Sequence, residues 1–286
     1  MCVTFFAFKA SPSFLLVLAF NRDEFFDRPT LPLAFWEDNP NILGGRDVSG
    51  EGTWLGVSKN GRFACLTNFR KGIPTTAYAK SRGDLPVHFL EGTASPINYL
   101  QELDTRGYAP FNILVADFNS DDPKLAYKCS EGNQETVDLL PGIHGFSNGE
   151  ITDEWPKVKK GKKLMEEVLG GDKVSDDGLP WSRIFTEVLG DQEIYDEKLL
   201  PDTGVGLELE KFLCSINVKP FEHRARVGRQ YGTRSQTVVA ISTSGFVEVR
   251  ERSIPLNAHN NSQPWVEARE SFSINCNQQE ILRSKG

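Results

Sequence analysis

The feature that most constrains this chain is the order of its hydrophobic periodicities: strand-like runs first, helical spacing in the middle, strand-like runs again at the end. Residues 3–8 and 14–20 flank a Lys-Ala-Ser-Pro-Ser turn, and residues 54–58 and 63–68 flank Lys59-Asn60-Gly61, a strong hairpin signal. Residues 111–118 and 125–129 flank Asn-Ser-Asp-Asp-Pro and predict another hairpin, with a short strand at 143–148 leading into a loop. Helices are expected at 85–90 and 96–103, the second capped by Ser95. Residues 156–169 set Val158, Leu164, Met165, Val168 and Leu169 against a run of lysines, an amphipathic helix capped by Asp153 or Glu154. A further helix over 181–189 precedes an acidic loop at 190–206, and residues 237–243, 246–253 and 265–274 then alternate as half-buried antiparallel strands do. A doubly wound parallel sheet needs regular strand–helix alternation, which is absent.

The chemically suggestive residue is Cys2, directly behind Met1 and at the start of the first strand. Removal of Met1 would put a thiol and an α-amine on one residue. An α-amine titrating near about 7.7–8.0 is a built-in base for generating a thiolate. The plain alternative is a buried, inert thiol. The hairpin of the first two strands brings Asn21-Arg22-Asp23-Glu24 back beside Cys2, so that Arg22 could hold a thiolate or a carboxylate and Asp23 or Glu24 could fix the guanidinium or the amine. The other reading of this cluster is a strand end dissolving into a solvated loop.

Together, Met-Cys at the start, Asn21-Arg22-Asp23-Glu24, Gly52-Thr53-Trp54-Leu55-Gly56, Leu66-Thr67-Asn68-Phe69, Gly145-Phe146-Ser147-Asn148 and Tyr231-Gly232-Thr233-Arg234-Ser235-Gln236-Thr237 resemble the NRDE family. That family includes the transport and Golgi organisation 2 proteins, and the resemblance runs along nearly the whole chain. It is similar, more distantly, to cysteine N-terminal-nucleophile hydrolases of the choloylglycine hydrolase and penicillin V acylase type. The resemblance implies an α+β fold, a four-layer αββα sandwich in one domain over residues 1–286, and the strand–helix–strand order is what such a sandwich requires. It also implies Cys2 as nucleophile, Asn68 and Asn148 at or near an oxyanion site, and Arg234 as the late arginine of the acylases. The acylases place arginine before asparagine with the acid later, whereas here Asn21 precedes Arg22 and two acids follow at once. Roles for Arg22, Asp23 and Glu24 therefore do not transfer directly. An oxyanion donor such as Asn148 would contribute roughly 3 kcal/mol of transition-state stabilisation. Taken by themselves, Asn68 reads as a hairpin-end residue and Asn148 as part of an Asn-Gly turn.

Composition fits a chain that builds its own core: 39% hydrophobic residues and 19 phenylalanines require no cofactor to hold the fold. A net charge of −7 argues against nucleic acid as partner. Five scattered cysteines without a CxxC pair read as reduced thiols. The apolar run at 14–20 is too short to span a bilayer and lacks signal-peptide flanks. Cytosolic residence is the expectation, with mitochondrial or Golgi association left open.

Two functions stay in view. The resemblance implies a carrier active in haem trafficking and in lipid or acyl-CoA homeostasis. The alternative is a cysteine amidohydrolase or acyltransferase in which Cys2 attacks an amide or acyl thioester. The expected partner is therefore a small molecule: haem, an acyl amide or an acyl thioester. As a haem ligand, His144 ranks ahead of His88, His223, His259, Met165 and the cysteines because it precedes Asn148 by four residues, although it also reads as a surface histidine. The lysines at 157–163 suggest an anionic contact or a solvated helix face, and Arg224, Arg226, Arg229 and Arg234 a phosphate or carboxylate grip or a flexible connection.

Overall fold

The computed structural model describes residues 2–72, 78–170, 178–223, 226–255 and 265–274. Expectations resting on Met1, Arg224, His259 and Cys276 lie outside them. In chain order the elements are β1 (Cys2–Phe8), β2 (Phe14–Phe25), β3 (Thr30–Phe35), β4 (Ile42–Asp47), β5 (Leu55–Ser58), β6 (Arg62–Asn68), α1 (Asp84–Glu91) and α2 (Pro96–Glu102). Then come β7 (Phe111–Asp117), β8 (Leu125–Cys129), β9 (Thr136–Asp138), β10 (Gly142–Phe146), α3 (Pro156–Leu169) and α4 (Trp181–Arg183), which runs into a π turn at Ile184–Val188. The chain finishes with α5 (Leu207–Phe212), β11 (Phe221–Glu222), β12 (Gln230–Ser242), β13 (Phe246–Ser253) and β14 (Val266–Ser273).

The strands form two seven-stranded antiparallel sheets, one ordered β10-β1-β2-β12-β13-β14 with β11 on β12, the other running β3 to β9 in sequence. Strand periodicity explains how they stack. Phe6, Phe8, Leu16, Leu18, Phe20, Val239 and Ile241 face the second sheet and meet Leu43, Val57, Phe63, Cys65, Leu114 and Tyr127. Their neighbours Val3, Phe5, Ala7, Val17, Ala19 and Val238 point outward and are covered by Met165 and Val168 of α3 and by Ile184 and Val188. On the far side, Ala64, Leu66, Ile113 and Val115 are covered by Leu85, Phe89 and Leu100 of α1 and α2. Helices on both outer faces of paired sheets make the expected αββα sandwich.

Several local expectations need correction. β2 does not end at Phe20 but continues to Phe25, so Asn21 to Glu24 belong to a strand rather than a loop. β12 is not half-buried, because it lies between β2 and β13 and is covered on both faces. α3 has Trp155 at its N-cap without a side-chain cap, and Asp153 instead accepts a bond from the Glu150 backbone N–H at 2.8 Å. Ser95 does cap α2, accepting from Asn98 N at 3.3 Å. The lysine run is not one solvated face: Lys157 is buried with Nζ donating to Leu213 O at 2.9 Å, while Lys159 and Lys162 pair with Glu154 and Lys160 with Asp191.

Glycine at one helix position is obligatory. A Cβ on Gly161 would stand 2.0 Å from Cζ of Phe5, whose ring is fully buried, so α3 can approach β1 only over a bare backbone. Gly161→Ala is expected to destabilise the protein by about 1–3 kcal/mol through overpacking, read as a lower urea midpoint at unchanged slope. An unchanged midpoint would show that the α3–β1 packing relaxes freely.

Candidate active site

At one end of the sandwich the apolar interior gives way to a cleft of about 390 Å³. Cys2 opens β1 there, facing Arg22 across the β1–β2 pairing, and Ser147 Oγ donates to the Cys2 carbonyl at 2.9 Å. The cysteine is only 6% exposed but lines the cleft. Burial pushes the Cys2 thiol pKa up, opposed by the positive amino terminus and Arg22. Without a base to take its proton, this thiol stays protonated at neutral pH.

Alternation along β2 sends its polar residues to opposite sides. Arg22 lies on the cleft side, with Nη1 donating to Thr30 Oγ1 at 3.0 Å, Nη2 to Asp47 Oδ2 at 3.1 Å, and its guanidinium 3.9 Å above the Trp54 ring. Arg28 Nε donates to the same Asp47 oxygen at 2.6 Å and lies 4.0 Å from Glu24 Oε2. Asn21 turns to the helical layer, where its amide donates to Leu189 O and Ile216 O. Asp23 accepts from Thr233 Oγ1 at 2.6 Å, and burial raises its carboxyl pKa against the pull of the amino terminus and Lys157.

The two asparagines differ. Asn68 ends β6 at the cleft wall, and among the described residues its side-chain amide has no hydrogen-bond partner. Asn148 is fully buried and committed: Nδ2 donates to Asn68 O at 2.8 Å, and Oδ1 accepts from Arg70 Nη2 at 3.1 Å. It does not line the cleft; it fixes the residue that does. Arg234 is also set back. It is the extra residue of a β-bulge between Thr233 and Ser235, which aims its Nη1 at Phe25 O (3.0 Å) and Arg28 O (2.6 Å). Burial lowers its pKa to about 10. Its place is therefore behind the turn that carries Arg28.

His144 lies elsewhere. It sits on β10 opposite Phe6, stacks on that ring at 5.3 Å and shares a 2.8 Å hydrogen bond between Nε2 and Leu140 O. Phe6 is four residues along β1 from Cys2, about 13 Å by strand geometry. Arg226 and Arg229 lie over the Phe25 ring, and Arg229 pairs with Asp27, so neither of these two lines the cleft.

Sequence reasoning missed much of the support. Thr67 Oγ1 donates to Ser147 O at 2.7 Å, and Asn112 Nδ2 to Gly149 O at 2.9 Å, with Tyr127 OH holding Asn112. This ladder seats the Ser147–Gly149 turn against the second sheet. Arg70 forms a buried ion pair with Glu210 of α5, and Thr203 donates to the same carboxylate. Opposite Cys2, a segment carrying Lys80 and Arg82 is drawn in by backbone contact: Thr53 N donates to Gly83 O at 3.2 Å, and a Cβ on Gly52 would stand 2.3 Å from the Gly83 carbonyl carbon. The only local signal for this was the glycine before Thr53-Trp54.

The family profile described as Transport and Golgi organisation 2 matches residues 1–255. The chain belongs to that family. A mouse Transport and Golgi organization 2 homolog is 33% identical over 264 residues, covering 89% of this chain and 93% of its own. The Drosophila melanogaster Transport and Golgi organization protein 2 is 27% identical over 271 residues, covering 87% and 91%. Among solved structures, the C2A mutant of conjugated bile acid hydrolase from Clostridium perfringens superposes with a TM-score of 0.50 at 9% identity, covering 96% and 97%. At that identity the likeness speaks for the fold alone. This Transport and Golgi organisation 2 family member thus has an N-terminal-nucleophile hydrolase-like fold, and none of its described helices is long and apolar enough to cross a membrane.

Proposed function

We propose that this family member is an N-terminal-cysteine acyl-transfer enzyme that cleaves an amide or an acyl thioester. The observation that carries this reading is the placement of Cys2 at the start of β1, in the wall of a polar cleft beside Arg22 and the uncommitted amide of Asn68. After removal of Met1, the α-amine of Cys2 takes the thiol proton as Sγ attacks the substrate carbonyl, forming the S–C bond and an oxyanion. Asn68 Nδ2 is the donor we assign to that oxyanion, supported by the bonds from Asn148 Nδ2 to the Asn68 carbonyl and from Arg70 to Asn148 Oδ1. Collapse returns the proton to the leaving amine or thiolate, and water or a second nucleophile then releases the acyl group.

Of the ligands implied by family membership, acyl thioesters suit this chemistry directly. Of the haem ligands that the sequence singled out, His144 lies outside the cleft with Nε2 already engaged, and Cys2, which lines it, is the nucleophile of this reading.

The test is intact mass followed by alkylation mapping across pH. The expected result is loss of Met1 and selective labelling of Cys2, with a rate that rises around the α-amine pKa of about 8 rather than above the ordinary thiol range. Protein engineered to retain Met1 should label only at higher pH, because burial raises the thiol pKa and the amine is capped. Identical profiles for the two forms would retire the amine as base. A stoichiometric haem absorbance shift with unreactive Cys2 would replace the enzyme with a carrier.

A further inference from the structure

The cleft holds more positive charge than its structural pairs consume. Asp47 accepts from both Arg22 and Arg28, and Glu24 stands within 4.0 Å of Arg28, so these four charges balance. Asp23, the remaining acid of the lining, is tied to Thr233, and its burial favours the protonated form. Lys80 and Arg82 also line the cleft, Lys80 with its Nζ 5.0 Å from the centre of the Tyr108 ring. Arg82 is half-buried, and its one hydrogen bond among the described residues runs from Nη1 to Pro110 O at 3.0 Å. No carboxylate within ion-pair distance of it is found among the described residues. A guanidinium presents five donors, so most of this fork is unused. The chain as a whole carries a net charge of −7, so a locally positive cleft is not a reflection of general composition.

A desolvated cation facing a cavity is costly unless something pairs with it. Burial lowers the Arg82 pKa, and the acidic influences that oppose this, Cys2 and Glu24 foremost, are themselves offset by Arg28. The contact of Gly52 with Gly83 fixes the backbone beside Arg82 against the β4–β5 connection, and the Nη1–Pro110 bond holds one arm of the guanidinium. The wall is thus built to present a positive group to whatever enters.

We infer that Arg82 binds an anionic group, carboxylate or phosphate, carried by the acyl donor, and so makes this site selective for anionic amides or thioesters over neutral ones. The inference rests on the cleft being the substrate site proposed above. It concerns binding and not bond cleavage, and the two can fail separately. Arg82 is in this sense a specificity residue, since it faces the part of the substrate that does not react.

The test uses the full chain with Cys2→Ala, which removes the nucleophile. Binding of three ligands is measured by calorimetry: N-butanoylglycine, its uncharged amide N-butanoylglycinamide, and N-butanoyl-O-phosphoethanolamine. The expected result is that at least one of the two anions binds tenfold or more tightly than the glycinamide, the better of the two identifying carboxylate or phosphate. Arg82→Gln in the same background should bring all three within about twofold of one another, and Arg82→Lys should retain part of the preference. Equal binding of the glycinamide and the acids, a preference that survives Arg82→Gln, or no binding of any of the three would overturn the inference. A preference that depends on Arg82 in a protein that shows no turnover with Cys2 restored would retire the enzyme reading and leave the anion site standing.

Discussion

Alanine in place of Cys2 is expected to lower kcat/KM for an acyl thioester or amide by on the order of 10⁴-fold or more, the scale seen when a nucleophile acting in concert with its base is lost. Stability should change by only about 1 kcal/mol, because a small thiol is exchanged for a methyl group at the end of a strand. The pair of measurements matters, since Cys2 is buried among core residues as well as lining the cleft. A large stability loss with a proportionate activity loss would mean that the residue acts through packing. Serine at position 2 separates the cases further: it keeps a hydroxyl of similar shape, so any loss reflects the poorer nucleophile. Turnover that persists in the alanine protein would assign the chemistry to another group.

The second large effect is structural. Arg70 and Glu210 are 1% and 3% exposed at their side chains and are paired far from water. Lys157 is buried nearby, its pKa held down to about 8 by desolvation and by Arg70. Glu210→Leu would leave Arg70 without this carboxylate beside a second buried cation, and a loss of about 3–5 kcal/mol is expected, a large part of an ordinary folding free energy. Urea unfolding reads it directly. Arg70→Met combined with Glu210→Leu should recover most of the loss, because the cost lies in the unpaired charge rather than in the missing attraction. If the double variant is as unstable as Glu210→Leu alone, the pair contributes through hydrogen bonds to Thr203 and Asn148 instead. Activity should also fall in the single variant, since Arg70 holds Asn148 and Asn148 holds Asn68.

Adjacency of Cys2 and Arg22 was legible because it is local: a short turn fixes hairpin register, and register fixes which residues face each other. The four-layer arrangement followed from the resemblance and from periodicity together, and the long apolar runs of β1 and β2 reflect cover on both faces of their sheet. Other elements were hidden for physical reasons. β3 contains Pro32 and β4 contains Gly44-Gly45, which local propensity scores against strands. Yet a Cβ on Gly44 would stand 2.5 Å from the Leu55 carbonyl oxygen, so the β4–β5 approach requires glycine. Lys157 sits in a run of lysines that local pattern assigns to solvent, and the partners that make its burial tolerable, the Leu213 carbonyl and the carboxyl groups of Asp23 and Glu210, are distant in sequence. The Arg70–Glu210 pair joins positions 140 apart, and no short window could reveal it. Asn148 and Arg234 were found as residues, but their direction depends on long-range partners.

The two sides of the cleft are made of different material. Cys2 and Arg22 stand on paired strands in the middle of a sheet, where a change of one residue is felt throughout the hydrogen-bonded ladder. Arg82, Lys80 and Gly50 stand on connecting segments that run over the surface. Substitutions on the connecting segments can therefore reshape the lining of the cleft at little cost to the fold, whereas a change at Cys2 or Arg22 falls on the sheet itself.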